Sequence, residues 1–207
     1  MRNKLGAIFM VLGAVLILAA LSLFLGNRTE ARQAERSSAE ILPLVMENIR
    51  QPVPTGQAAD TAEPELPDPY DTTMTVVEID GYGYIGYLSI PALGLELPVM
   101  SDWDYPRLRI APCRYAGSSK ADNLVIAAHN YERHFGNLAK LSPGDVVSFT
   151  DMDDVVSRYA VVAVETLAPS DVENMTAGEY DLTLFTCTYG GGSRVAVRCD
   201  RVEDGSS

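Results

Sequence analysis

Residues 5–25 form an uncharged, predominantly apolar run of 21 residues. At about 1.5 Å per residue, a helix of that length spans roughly 31 Å, the thickness of a bilayer's hydrocarbon core. Cleaved signal peptides carry apolar regions of only roughly 7–15 residues, so the pattern predicts an uncleaved anchor. Arg2 and Lys4 precede the run, while Arg28, Arg32 and Arg36 follow it. With basic residues on both sides, the positive-inside rule does not orient it. Residues 27–50 predict mostly helix, which Pro43 should kink or divide. Ile41, Leu44, Val45 and Ile49 recur there at helical spacing. The segment reads as a polar juxtamembrane helix, a solvated stalk with a minor apolar stripe; docking on a partner or on the domain is the second reading.

Residues 51–75 carry Pro52, Pro54, Pro64, Pro67 and Pro69, which prevent regular helix or central strand. With their acidic residues they predict an extended, mobile linker whose use is reach. From residue 76 the pattern changes to short apolar stretches between turn formers. Strands are predicted over 84–90, 95–100, 124–128, 145–150, 157–167, 182–187 and 194–202. Residues 103–115 read as irregular chain or a short helix between Pro106 and Pro112, and 134–141 as one short helix. The chain thus divides into head and anchor (1–26), juxtamembrane helix (27–50), linker (51–75) and a catalytic-sized domain (76–207). That last unit is mainly β, with seven or eight strands in a barrel or sandwich.

The formal net charge of −12 argues against nucleic-acid binding. Part of that charge belongs to the linker: residues 51–80 hold seven carboxylates and no Lys or Arg. Three cysteines are too few for a disulfide framework. Cys113 and Cys199 read as buried free thiols ahead of a disulfide pair. The acidic turn Asp151-Met152-Asp153-Asp154 lacks the spacing of an EF-hand and reads as a hairpin turn.

Candidate chemistry concentrates in Thr183-Leu184-Phe185-Thr186-Cys187-Thr188-Tyr189-Gly190-Gly191-Gly192-Ser193-Arg194. Alternation sends Leu182, Leu184 and Thr186 to one face of a strand and Thr183, Phe185 and Cys187 to the other. The glycines permit positive φ and a reversal that returns Arg194 close to Cys187. A thiolate is the nucleophilic form of cysteine and needs a cationic neighbourhood; an arginine supplies permanent charge and oxyanion donors. The chain offers two histidines as bases, His129 and His134. His129 ends an apolar strand and is favoured; His134 falls on the segment after it. Their five-residue spacing fits no zincin motif, and no metal or other cofactor is implied. Arg194 is favoured over Arg198 because it starts the strand after the turn. Arg198 is assigned to an ion pair or a substrate groove, and Thr186 to positioning substrate.

Thr183-Leu184-Phe185-Thr186-Cys187 resembles the TLxTC signature of the sortases, cysteine transpeptidases of Gram-positive surfaces. Asn123 to Asn130 resembles the strand ending in that family's catalytic histidine, and Ser193 to Val197 its arginine strand. Tyr87 to Val99 is similar to its opening strands. Ala128 stands where a glycine often precedes the histidine. The resemblance implies a closed β-barrel in which Cys187 is the nucleophile, His129 the general acid/base and Arg194 the oxyanion and substrate stabiliser. It implies a single-pass membrane protein with its domain outside the cell. Its partners would be surface proteins bearing a Leu-Pro-x-Thr-Gly-like sorting signal, and an amine from a cell-wall precursor or a pilin lysine. Some pilus-building members carry an acidic–aromatic lid, for which Asp68-Pro69-Tyr70 is the candidate; some relatives bind calcium near such acidic turns. The alternatives are a Cys–His peptidase that releases its product to water, and a non-catalytic anchored binding module.

Overall fold

The protein is described by a computed structural model that covers residues 2–50, 71–177 and 179–202. Most of the linker, with the Asp68-Pro69-Tyr70 segment, lies outside the described residues. One helix, α1 (Arg2–Arg50), runs through both the apolar run and the expected stalk without a break. In its most apolar stretch no surface is buried against the rest of the protein. The second half is different. Ala34, Ser38, Val45 and Ile49 are buried, and their spacings of four, seven and four residues put them on one face. The solvated-stalk reading therefore gives way to a docked helix. Pro43 lies inside the helix and faces solvent. Its missing N–H costs one backbone hydrogen bond, but the anchored residues on either side carry the helix through.

Met74, inside the expected linker of 51–75, is buried in the barrel core, so the folded domain begins before residue 76. A short strand β1 (Val77–Ile79) pairs with β2 (Tyr82–Ile90), and a 3-10 turn at Pro91–Leu93 reverses the chain into β3 (Leu95–Met100). A four-residue helix α2 (Tyr105–Leu108) is capped by the Asp104 carboxylate on the Arg107 amide. Then follow β4 (Cys113–Ala116) and β5 (Leu124–Ala127). The expected helix over 134–141 is instead a run of turns with a 3-10 turn at Leu138–Lys140. Tertiary contact overrides local preference there. Gly136 presses on the Asn130 carbonyl, where an added Cβ would lie only 2.5 Å from the oxygen. The order closes with β6 (Val146–Asp151), β7 (Val156–Leu167), α3 (Val172–Thr176), β8 (Leu182–Cys187) and β9 (Arg194–Arg201).

The strand order is β1-β2-β3-β4-β5-β8-β9-β7-β6, and β6 returns to pair with β2. Eight strands thus close a barrel, with β1 on its flank. Closure depends on Gly86, which sits at a register shift in β2 with φ +141° against the backbone of Thr150. Any side chain there would run into that carbonyl. The barrel interior is filled by Leu88, Val99, Ile126, Phe149, Leu184 and Val197, among others. A second apolar layer lies on the outside of one wall. It includes Val125, Ala127, Phe185 and Ala196 from the sheet, Val45 and Ile49 from α1, Leu108 from α2 and Met175 from α3. The faces of β8 divide as alternation predicts, with Leu182 and Leu184 inward and Phe185 outward. Cys113 and Cys199 are free, buried thiols in different layers, and burial pushes each up to about 12. In the acidic hairpin, the buried Asp151 carboxylate accepts from the Asp153 and Val155 amides, so it shapes the turn.

Candidate active site

β5 and β8 run parallel, with Val125 opposite Thr183 and Ala127 opposite Phe185. Past the last pair, the Ala128 amide donates to the Phe185 carbonyl at 3.2 Å. β5 ends at Ala127, two residues before His129, and its partner β8 ends at Cys187, so both chain segments leave the sheet at the same end of the parallel pair. Thr186 faces the opposite way from Phe185. It is 3 % exposed, and its hydroxyl donates to the Ala128 carbonyl at 2.8 Å. The expected substrate-positioning hydroxyl is therefore committed elsewhere: it pins together the strand ends next to Cys187 and His129.

Cys187 is directly opposite Arg194 in the antiparallel β8–β9 pair. Between them, the Thr188 amide donates to the Ser193 carbonyl (3.0 Å), and the Ser193 amide donates to the Thr188 hydroxyl (3.1 Å). Gly190 and Gly191 have φ of +80° and +72°, the left-handed geometry expected of the glycine run. Arg194 Nη1 donates to the Gly191 and Ser193 carbonyls at 3.2 and 3.1 Å, so the turn itself holds the guanidinium at the rim.

Arg198, four residues on, is 2 % exposed. It bonds Glu165 (3.2 Å), Thr183 Oγ1 (3.1 Å) and the Asn174 carbonyl (2.6 Å), and lies over the Tyr180 ring. Of the two roles expected for it, the ion pair is the one observed. It braces α3 against the sheet.

The surroundings of His129 were not legible in the sequence. Its ring stacks at 5.0 Å on Tyr131, and Tyr131 lies 5.7 Å from His134. The loop is closed by amide donations from Phe135 to His129 and from His134 and Gly136 to Tyr131. His134 is fully buried, and its Nε2 lies 3.1 Å from Ser38 Oγ on α1. Ser38 in turn donates to the Ile110 carbonyl at 2.8 Å, so its lone pair receives the His134 Nε2–H. His134 is thus a structural bolt between helix and loop.

Burial holds the His129 imidazole below its ordinary value, Arg109 just past α2 lowers it further, and Glu30 on α1 opposes both. Replacing Arg109 with glutamine should raise the His129 pKa, and Glu30→Gln should lower it. Tyr131 and His134 also lie close to the ring and stay unchanged in both variants. With only two histidines in the chain, an NMR titration of the imidazole protons reads both shifts directly. Equal or same-sign shifts would contradict this electrostatic arrangement.

His134 is pushed down to about 4, by burial first and then by His129, with the Ala34 backbone opposing. Its unfolded value is about 6.5. Between these pH values the unfolded chain takes up a proton that the folded one refuses, so stability falls as pH falls across that window. The loss should approach about 3 kcal/mol, read by denaturant unfolding at a series of pH values. His134→Gln should flatten that slope.

On the outer face, an aromatic stack starts two residues before Cys187. Phe185 meets Tyr115 edge-on at 5.1 Å, Tyr115 meets Trp103 at 5.1 Å, and Trp103 meets Tyr105 at 6.2 Å. Trp103 and Tyr105 are exposed, and an open cleft of about 410 Å³ runs beside Trp103, Tyr115 and Arg114. Among the described residues, no three His, Cys, Asp or Glu side chains gather into a possible metal site.

Residues 88–202, more than half of the chain, match the sortase-domain family. The chain is similar to Sortase A of Bacillus anthracis, 26 % identical over 163 residues, which is 75 % of each chain. Among solved structures it is similar to sortase C1 of Streptococcus agalactiae: 29 % identity, TM-score 0.54, covering 61 % of this chain and 72 % of that one. It shares its fold with sortase C of Streptococcus pneumoniae at 23 % identity and TM-score 0.54, covering 86 % and 91 % of the two chains. A closed barrel with a cysteine at the end of one strand, an arginine paired across from it and a histidine two residues past the end of the neighbouring parallel strand agrees with these likenesses. The chain belongs to the sortase family and is a sortase-type cysteine transpeptidase.

Proposed function

We propose that Cys187, His129 and Arg194 carry the transfer, and that residues 5–25 anchor the enzyme with its barrel outside the cell. The observation that supports this reading is Cys187 directly opposite Arg194, with His129 two residues past the end of the parallel strand beside Cys187. The Cys187 thiolate attacks the scissile carbonyl of a sorting signal of the Leu-Pro-x-Thr-Gly kind, forming a C–S bond. Arg194 donates to the developing oxyanion. As the C–N bond breaks, the His129 imidazolium protonates the departing amine, leaving a thioester on Cys187. An incoming amine, from a cell-wall precursor or a pilin lysine, gives its proton to His129 and attacks the thioester. The new amide forms, the C–S bond breaks, and the thiolate returns.

The aromatic stack from Phe185 to Trp103 supplies an apolar wall on the face where the acyl donor must lie, suited to the leucine and proline of such a signal. A library of sorting-signal peptides, incubated with the enzyme and an amine such as a glycine peptide or a lysine peptide, tests the whole reading. Ligated product with one signal class is expected. Cleavage with water as the sole acceptor, whatever amine is added, would instead describe a peptidase.

A further inference from the structure

The helix that carries the apolar run of residues 5–25 is the same helix that touches the loop after β5, without a break between them. Its contacts run in order along its length. Glu30 lies close enough to act electrostatically on Tyr131 and on His129, whose rings stack, and Glu35 pairs with Arg133 of the same loop. Two turns past Glu30, Ser38 meets His134 and Ile110, and Val45 and Ile49 pack on the outer apolar layer. The loop carrying His129 is therefore the end of the docked footprint nearest the membrane.

From Leu25 at the end of the apolar run to Glu30 is five residues, or about 7.5 Å of helix. The head-group layer on each side of a bilayer is about 5–8 Å deep. We propose that α1 holds the catalytic rim in the lipid head-group layer, so that the membrane surface is itself a docking partner of the rim. This rests on the reading of residues 5–25 as a membrane anchor.

The chemistry of the rim fits that partner. Tyr189, two residues past Cys187, is 94 % exposed, and amphipathic aromatic side chains favour the membrane–water interface. A cleft of about 260 Å³ between α1 and the loop is lined by Arg28, Arg32 and Arg133, along with Glu35 and Glu132. Glu35 pairs with Arg133 at 3.3 Å. Arg109 is exposed beside His129. In a chain of net charge −12, this end gathers arginines, which suit the phosphates of lipid head groups. The enzyme then meets its substrates at a fixed height, in place of the free reach that a flexible stalk would give.

The rim's height can be read on the full chain. Cys113 and Cys199 are buried, so a small fluorescent thiol reagent on the folded protein labels Cys187; Cys187→Ala should take up no label. The labelled protein is reconstituted in vesicles carrying a nitroxide either on the lipid head group or deep in the acyl chain. Co-flotation with the vesicles is measured first. The expected result is that the head-group nitroxide quenches more than half of the fluorescence and the deep nitroxide quenches little. Seven helix-forming residues inserted between Gly26 and Asn27 lift the rim by about 10.5 Å while turning the docked face by only about 20°. Head-group quenching should then fall at least threefold. Flotation without quenching, or quenching that the insertion leaves unchanged, overturns the placement and spares the anchor. Failure to float overturns both.

Discussion

Cys187→Ala should lower turnover of a sorting-signal peptide on the order of 10⁴-fold or more while the barrel stays folded. Removing a nucleophile removes the thioester route altogether, and such losses in cysteine- and serine-type machinery reach on the order of 10⁴–10⁶. The structural cost is small because Cys187 is half-buried at a strand end, outside both apolar layers. Its backbone pairing with Arg194 does not need the sulfur. Thermal unfolding monitored beside activity separates the two effects. A variant that keeps its melting temperature and loses all acyl transfer is the expected outcome. Retained turnover would place the nucleophile elsewhere.

Arg194→Ala should cost about 10²–10³-fold in kcat with a smaller change in KM, the range for losing one oxyanion donor. The effect belongs in kcat because the oxyanion exists only as the carbonyl is attacked. Lysine should rescue little. The Arg194 guanidinium already commits Nη1 to two carbonyls of the turn, which leaves its other N–H groups for the oxyanion in the proposed mechanism. An ammonium is a single point of charge and cannot hold the turn and the substrate with the same rigid fork. Arg198→Ala is the informative contrast. It should lower stability through the lost bonds to Thr183 and Asn174 and loosen α3, with activity following the fold. An Arg194→Lys enzyme with full kcat would show that charge alone suffices.

The pairing of Cys187 with Arg194 was legible in the sequence because its parts announce themselves locally. β8 alternates cleanly, the glycines demand a reversal, and the six-residue turn leaves Arg194 no choice but to return beside Cys187. The strand leading up to His129 was legible because it is an unbroken apolar run. The docking of α1 was not, for a physical reason. Its buried stripe opens with Ala34 and Ser38, small residues that carry no hydrophobic signal, and Leu44, which the pattern favours, is exposed. The short strands β1 and β4 were hidden by their length and, for β4, by Pro112 just before it. Residues 134–141 have the composition of a helix, but the burial of His134 and Phe135 and the close approach of Gly136 fold them as turns. Glu30 and Arg109 reach His129 only through the tertiary fold, and nothing in their own neighbourhoods marks them.

The central claim is that one sulfur carries the acyl group between two amines. Rapid acid quench of the enzyme with a sorting-signal peptide, followed by mass spectrometry of the intact chain and its fragments, tests it most directly. The account predicts an added mass equal to the acyl portion of the peptide, located on Cys187 and discharged when an amine is supplied. Turnover at full rate with Cys187 unmodified at every quench time would contradict it.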